Sequence, residues 1–363
     1  MNKLNQTDQG AEAEVDLEKH ADETGMEFEP LEADPCLTDV RLAKEHIYSI
    51  RRSKGLESAS SEEASSNVKD LEKALEVLSD QLYTQPTHFL LEFIQNADDN
   101  SYTVDTPTIS FARTNGHLRI ECNETGFAPS NIDAICRIGS STKTDRSKGF
   151  IGEKGIGFKS VFKIADVVWI SSNAYCFKFD RHKPLGMIAP IWEEFPLEVK
   201  PAMSQFYLQL TKDAAPSAEE DLIKQLYSLD STLLLFLRKL TKIEIFVDHK
   251  DWKRRLTSFV TRKDTIAYGG EVITITKSWT KTKKARENSS YLVVRHTTEG
   301  MPAEQRRRGI QSSEVVLAFP FSNGGPDFYS QQAYAFLPIR ESGFKVSEDC
   351  FTRAWDYAYN SVR

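Results

Sequence analysis

Apolar residues recur every three to four positions in the first part of the chain and every second position in much of the remainder. In "DLEKALEVLSDQLY" (70–83), Leu71, Ala74, Leu75, Leu78 and Leu82 fall on one stripe, with Asp70 placed as N-cap, which predicts an amphipathic helix. Pro86 separates it from "THFLLEFIQNADDNSY" (87–102), a second helix with Thr87 as N-cap and Phe89, Leu90, Phe93, Ile94 and Ala97 as its buried face. Upstream, "LTDVRLAKEHIYSIRRSK" reads as a helix, and the Ser/Glu-rich "GLESASSEEASSN" as a flexible link.

The period then changes. "TISFA" and "HLRIEC" alternate, and "TNG" between them predicts a hairpin. "PSNIDAICRIG" reads as a short helix and "SSTKTDRSKGF" as a polar, basic, mobile loop. "KGIGFKSVFKIA" starts as a glycine loop and continues as helix. "DVVWISSN", "YCFKFD", "QFYLQLT" and "KIEIFVD" are predicted strands, and "EEDLIKQLYSLDSTLLLFLRKL" one or two helices among them. From about 250 strands dominate: "EVITITKSW", "SSYLVVRHT", "SEVVLAFPF", "QAYAFLP". The expected fold class is an α/β (α+β) sandwich: one mostly antiparallel, mixed sheet with helices over one face. The expected domains are an acidic disordered tail (1–36), a helix and flexible link (37–69), a ligand-binding domain (70–249), and the start of a second, β-rich α+β domain (250–363).

Composition narrows this picture. Apolar content of 40% and charged content of 27% are ordinary for a globular chain. No apolar run approaches a membrane span and no signal-like segment opens the chain, so an intracellular protein, cytoplasmic or nuclear, with no membrane partner is expected. Five widely spaced cysteines without a CxxC argue for reduced thiols and against zinc. The net charge of −7 belongs to the tail. Residues 1–36 carry eleven acids against two lysines, and the remainder is close to neutral, so no nucleic-acid partner is called for. The arginine knot at 304–311 reads as a solvated loop.

The chemistry starts at "GFIGEKGIGFKSVF" (149–162), with four glycines and two lysines. A P-loop is excluded. Gly152 and Gly157 have its spacing, but Phe158 stands where the lysine must be, and Lys159 comes one position late, turned by about 100° on a helix. GxGxxG is absent, so a dinucleotide fold has no support. A second device needs three separated pieces, and all three occur in order. In "LLEFIQNADDN", Glu92 and Asn96 share one helical face, and Asp99 and Asn100 extend that polar edge. A carboxylate between Leu91 and Phe93 is costly without a task, and an Asn one turn on can offer its carbonyl oxygen to Mg2+. Alone, E-x-x-x-N describes a solvated stripe. The second piece is "ECNETGFAPSNI", with Gly126 at its turn, and the third is the glycine loop, whose backbone N–H groups can cradle phosphates.

These pieces resemble the N, G1 and G2 boxes of the GHKL ATPases, which include gyrase, heat-shock chaperones, histidine kinases and MutL. "IGEKGIGFKSVF" is similar to the chaperone form of the third box. "HIYSIRR", "LSDQLYTQPTHFLLEFIQNADDN", "GFAPSNIDAICRIGSSTK" and "GFIGEKGIGFKSVFKIADVVWISSN" resemble the NO VEIN and sacsin-type branch found in large plant and fungal proteins, over roughly 40–180. The resemblance implies the GHKL (Bergerat) sandwich with ATP and Mg2+ as ligands. It implies Glu92 as general base, Asn96 as Mg2+ ligand, and Gly126 shaping the adenine-side loop. Gly152, Gly155 and Gly157 would bound the triphosphate loop, with Ile156 and Phe158 donating backbone N–H groups. The segment 139–150 would be a lid, and Lys143 and Lys154 would neutralise phosphate charge. The second box is ordinarily D-x-G-x-G. Counting back from Gly126 puts Cys122 at the acidic position and Glu124 at the first glycine, with Glu121 or Asn123 as substitute acceptors. Two functions are expected from this. One is an ATP–Mg module with slow hydrolysis driving a conformational switch in a chaperone-like protein, with protein clients or self-association. The other is a degenerate, non-catalytic scaffold. A histidine or protein kinase is disfavoured, because no phosphoacceptor helix pair and no H-R-D or D-F-G set occurs.

Overall fold

The computed structural model describes residues 35–56, 68–75, 88–114, 116–137, 157–211, 216–248, 255–265, 271–280, 284–300, 312–322, 325–326, 332–335 and 337–341. The acidic tail to residue 34, the lid segment, the arginine knot and the last 22 residues lie outside the described residues.

Three helices open the described chain: α1 (Pro35–Ser53), a short α2 (68–75) and α3 (His88–Asp99). The stripe expected on α2 is only partly realised, since Leu75 is buried while Leu71 and Ala74 are exposed. Leu78 and Leu82 lie outside the described residues. The α3 pattern holds in full, with Phe89, Leu90, Phe93, Ile94 and Ala97 all buried.

The hairpin β1 (Thr108–Thr114) and β2 (His117–Cys122) forms as the alternation requires, turning through Gly116 at φ 72°. After α4 (Pro129–Ile135) comes a 3-10 helix, Gly157–Lys163, where the sequence suggested a glycine loop running into a helix. The chain continues through β3 (Ala165–Ser172), β4 (Tyr175–Asp180), β5 (Ile191–Trp192), β6 (Ser204–Leu210), α5 (Pro216–Ser228), α6 (Leu233–Phe236) and β7 (Lys242–Val247). The sequence pattern missed β8 (Arg255–Thr265), whose "RKDT" end carries no alternation. Next come β9 (Glu271–Thr280), β10 (Lys284–Glu299), β11 (Ser312–Ser322), β12 (Gly325–Pro326), β13 (Gln332–Ala335) and β14 (Leu337–Glu341).

Twelve strands form one mixed sheet in the order β12-β11-β10-β9-β8-β7-β1-β2-β6-β3-β4-β5, and β13–β14 pair separately. Among the described strands only β1–β7 is a parallel pair, so the chain must cross over between those two strands, and α3, α4 and the 3-10 helix do not interrupt the pairing. The residues beyond 250 therefore continue the sheet through β7–β8. With Leu235 of α6, Ile273, Ile275 and Val293 also build a second, smaller apolar cluster. The main core gathers the inward residues of β1, β2, β3, β4 and β7 with α1, α3 and the 3-10 helix.

One charge is sunk into this frame. Arg113, on β1, is fully buried, and donates to the carbonyls of Thr114 and His117 and to the carboxylate of Glu219 on α5. Burial holds its pKa below the usual arginine value, partly offset by Glu219. This contact pins α5 to the hairpin. Glu219→Ala strands a buried donor and should cost about 1–3 kcal/mol. Lys224→Ala, in an exposed pair with Glu220 and Asp221, should stay within about 0.5 kcal/mol. Urea unfolding of both variants checks the contrast.

Candidate functional site

The candidate site is built where α3 meets the 3-10 helix. Phe93 on α3 packs edge-on against Phe158, with centroids 6.1 Å apart, and against Phe206 of β6 at 4.9 Å. Phe158 continues into Phe162 and Phe179. This aromatic cluster sets how closely the two helices approach.

At that approach, Glu92 and Gly157 meet. A Cβ placed on Gly157 would overlap the Glu92 carboxylate, falling 2.5 Å from its Cδ. The structure thus brings together the acid and the last glycine of the loop. Only a residue without a side chain fits at 157 while Glu92 keeps this position. Asn96, one turn along α3, is half-buried on the same face. Asp99 is buried and Asn100 half-buried, at the helix end, where Lys239 Nζ donates to the carbonyls of both. Gly152, Lys154, Gly155, Ile156 and Lys143 lie outside the described residues.

Asp98 was not singled out in the sequence. Two adjacent aspartates on a helix diverge by about 100°, so only one of Asp98 and Asp99 can belong to the polar edge. Asp98 is 1% exposed and turns the other way. Its carboxylate accepts from the backbone N–H groups of Arg238 (2.8 Å), Lys239 (2.8 Å) and Leu240 (2.9 Å). It ties the site helix to the entry of β7. The only sequence signal was an acid next to the apolar Ala97.

At the end of β2 and in the loop after it, Glu121 and Asn123, the substitute acceptors, are committed elsewhere. Glu121 receives Lys200 (2.8 Å) and Gln205 (3.0 Å), and Asn123 bridges Thr108 N–H and the Thr106 carbonyl. Cys122 is buried with its sulfur 3.1 Å from the Tyr102 hydroxyl, which itself donates to the Ala97 carbonyl at 2.6 Å. Burial, with Glu124 adding to it, pushes the Cys122 thiol up to about 12, so it is neutral. Tyr102 is likewise raised, mainly by burial. Glu124, 7% exposed, lies close enough to both to contribute to these shifts. Sequence reasoning gave it no role, because it took Gly126 as the second glycine of its box. Gly126 has φ 88°, and a Cβ there would overlap the Asn173 side chain.

Lys159, which the P-loop test rejected as a phosphate ligand, is a buried post. Its ammonium donates to the carbonyls of Ile135, at the end of α4, and of Met187 (2.7 Å), and lies over the rings of Phe158 and Phe179. Burial lowers its pKa to about 7, with Cys136 opposing and Lys54 assisting. A cavity of about 240 Å³ lined by Glu72, Leu75 and residues 181–187 lies apart from the Glu92–Gly157 contact. Among the described residues no group of three His, Cys, Asp or Glu is arranged to hold a metal, and no helix is long and apolar enough to cross a membrane. Mg2+ asks for less than such a cage, because one or two protein oxygens suffice when phosphates and water complete its shell. Asn96 beside Glu92 fits that demand.

A sacsin-domain family model matches residues 71–187, which take in α3, the loop after β2 and the 3-10 helix. The chain is also similar to Protein NO VEIN of Arabidopsis thaliana, 32% identical over 327 residues. That stretch is 82% of this chain and 11% of the relative, so the chain spans a small part of that protein's length. Both findings support the sacsin and NO VEIN branch of the resemblance.

Two outcomes are expected. Gly157→Ala should swing the flexible carboxylate end of Glu92 aside, costing under about 1 kcal/mol of stability, and Glu92→Ala should remove that loss. Additive losses in a double-mutant unfolding cycle would place the two residues apart. For Lys159, the folded pKa lies below the unfolded value of 10.5. Above about pH 7 the unfolded chain therefore holds a proton that the folded chain lacks, and stability rises with pH by up to about 1.4 kcal/mol per unit. Unfolding between pH 7 and 8, below the titration of unfolded thiols, should show this slope in the native chain and lose it in Lys159→Met.

Proposed function

We propose that this chain is an ATP–Mg2+ binding module of the GHKL type that hydrolyses ATP slowly and uses the cycle as a conformational switch. The observation that carries the reading is the Glu92 carboxylate set directly over Gly157. An acid at that point faces the place where a glycine hinge would present main-chain N–H groups to a terminal phosphate. Glu92 accepts the proton of a water attacking the γ-phosphorus, and ADP and inorganic phosphate leave. Bound Mg2+ would neutralise charge on the phosphate oxygens, with the Asn96 carbonyl as its protein ligand. Asp99 and Asn100 line the same edge. The helices over the sheet's buried side, in the Bergerat arrangement, would form the wall of this pocket.

Base recognition falls to Glu124 in this reading. Taking Gly126 as the first glycine of D-x-G-x-G puts Glu124 at the acidic position and Ala128 at the second glycine. A carboxylate accepts an amino N–H well, whereas the neutral Cys122 thiol is a weak acceptor already engaged with Tyr102. This answers the deficiency that favoured a non-catalytic scaffold. Resemblance to large multidomain proteins supports a module that passes its nucleotide state to other segments and to protein partners within the cell.

The experiment is phosphate release paired with calorimetry. Glu92→Gln should retain ATP–Mg2+ binding within a few-fold while turnover falls by about 10²–10⁴-fold. Unchanged turnover sinks the general-base role, and no heat of binding to the native chain sinks the nucleotide reading.

A further inference from the structure

The turn between β3 and β4 reaches across to the loop after β2. β3 ends at Ser172 and β4 begins at Tyr175, so Asn173 and Ala174 make a two-residue turn. Asn173 has φ 51°, a conformation that asparagine tolerates and that such turns require. Its amide Nδ2 lies 3.3 Å from both the Thr125 and the Phe127 carbonyl. Ser172 Oγ accepts from Phe127 N–H at 2.8 Å and is braced by Ser204 Oγ at 2.6 Å. On the other side, Thr125 N–H donates to the Ser101 carbonyl just beyond α3. The backbone of 125–127 is thus held from both flanks.

Gly126 is the counterpart of this clamp. Its missing side chain leaves room for Asn173, and its positive φ aims the Thr125 and Phe127 carbonyls at one amide group. Glycine at 126 is therefore demanded by its own φ of 88°, and Asn173 uses the space it leaves. Glu124 is the residue immediately before the clamped stretch and is 7% exposed.

We propose that Asn173, assisted by Ser172, is a positioning residue that sets base selectivity by fixing the 124–127 loop and with it the Glu124 carboxylate. The inference rests on the nucleotide reading above. A hydrogen bond that discriminates between donor and acceptor works only within a few tenths of an ångström, so a loosened loop costs preference before it costs phosphate binding. Adenine offers an amino group where hypoxanthine carries a carbonyl, which makes ATP against ITP the direct probe.

The test measures Kd for Mg-ATP and Mg-ITP by calorimetry on the full chain and on Asn173→Gly, Glu124→Gln and the double variant. Glycine suits the positive φ, so Asn173→Gly removes the side chain and keeps the turn. The native chain should prefer ATP by about 10-fold or more. Asn173→Gly should bring the ratio to within about 3-fold of unity, with KM for ATP raised and kcat at saturation unchanged. Glu124→Gln should bring the Kd ratio equally near unity, and the double variant should add little. A native ratio near one, or a native ratio retained in Asn173→Gly with the fold intact by circular dichroism, overturns the clamp while leaving nucleotide binding in place. Binding of neither nucleotide by the native chain overturns the nucleotide reading and the clamp with it.

Discussion

The closeness of α3 to the 3-10 helix is the constraint on which the site depends. Four phenylalanines from four elements, Phe93, Phe158, Phe179 and Phe206, pack edge-on or tilted and fix that spacing. Given this spacing, the position opposite Glu92 has room for a side chain only if the Glu92 carboxylate moves, and glycine lets it stay. The motif glycine and the aromatic core are thus one arrangement seen from two sides. Apolar packing sets a distance, and the distance selects the residue that leaves backbone exposed beside an acid.

Two buried charges hold the flanks of this arrangement by opposite means. Asp98 is an acceptor surrounded by three main-chain donors from residues 238–240. Lys159 is a donor that reaches two main-chain carbonyls, from α4 and from the loop at Met187. Each bonds backbone rather than a counter-ion, so each joins segments distant in the chain without relying on the rotamer of a partner. Burying such groups carries a desolvation cost that the hydrogen bonds must offset, and Lys159 shows that cost in its lowered pKa. Asp98 also links the site helix to the stretch between α6 and β7. Leu235 of α6 packs in the apolar cluster of the later strands, so the site helix and the extended part of the sheet share one short connector.

The loop after β2 shows the same economy in a polar form. Glu121, Asn123 and Cys122 are each tied into the sheet or to Tyr102, and the buried Glu124 comes just before a loop held by the β3–β4 turn. The similarity to Protein NO VEIN and the sacsin-domain match cover these elements together, which is consistent with their forming one unit.

Local periodicity was enough to mark most of the elements. The 3.6-residue stripe of α3 and the alternation of β1, β2, β3, β4, β6 and β7 arise from which side of each element meets the core, and that is written locally. The spacing of Glu92 and Asn96, and the glycine at 157, were legible for the same reason. Pairing was not. That β7 lies parallel to β1 depends on contacts between residues more than a hundred positions apart, and the register in which β8–β12 extend the sheet depends on which neighbouring strands pair. The 3-10 form of Gly157–Lys163 and the role of Asp98 are likewise outcomes of what packs against them. So is the packing of Asn173, 47 residues later, into the space left by Gly126, in a turn whose side-chain direction no local pattern encodes. Sequence specified which faces are buried, and tertiary structure decided which buried faces meet, because burial is a property of one element and contact is a property of two.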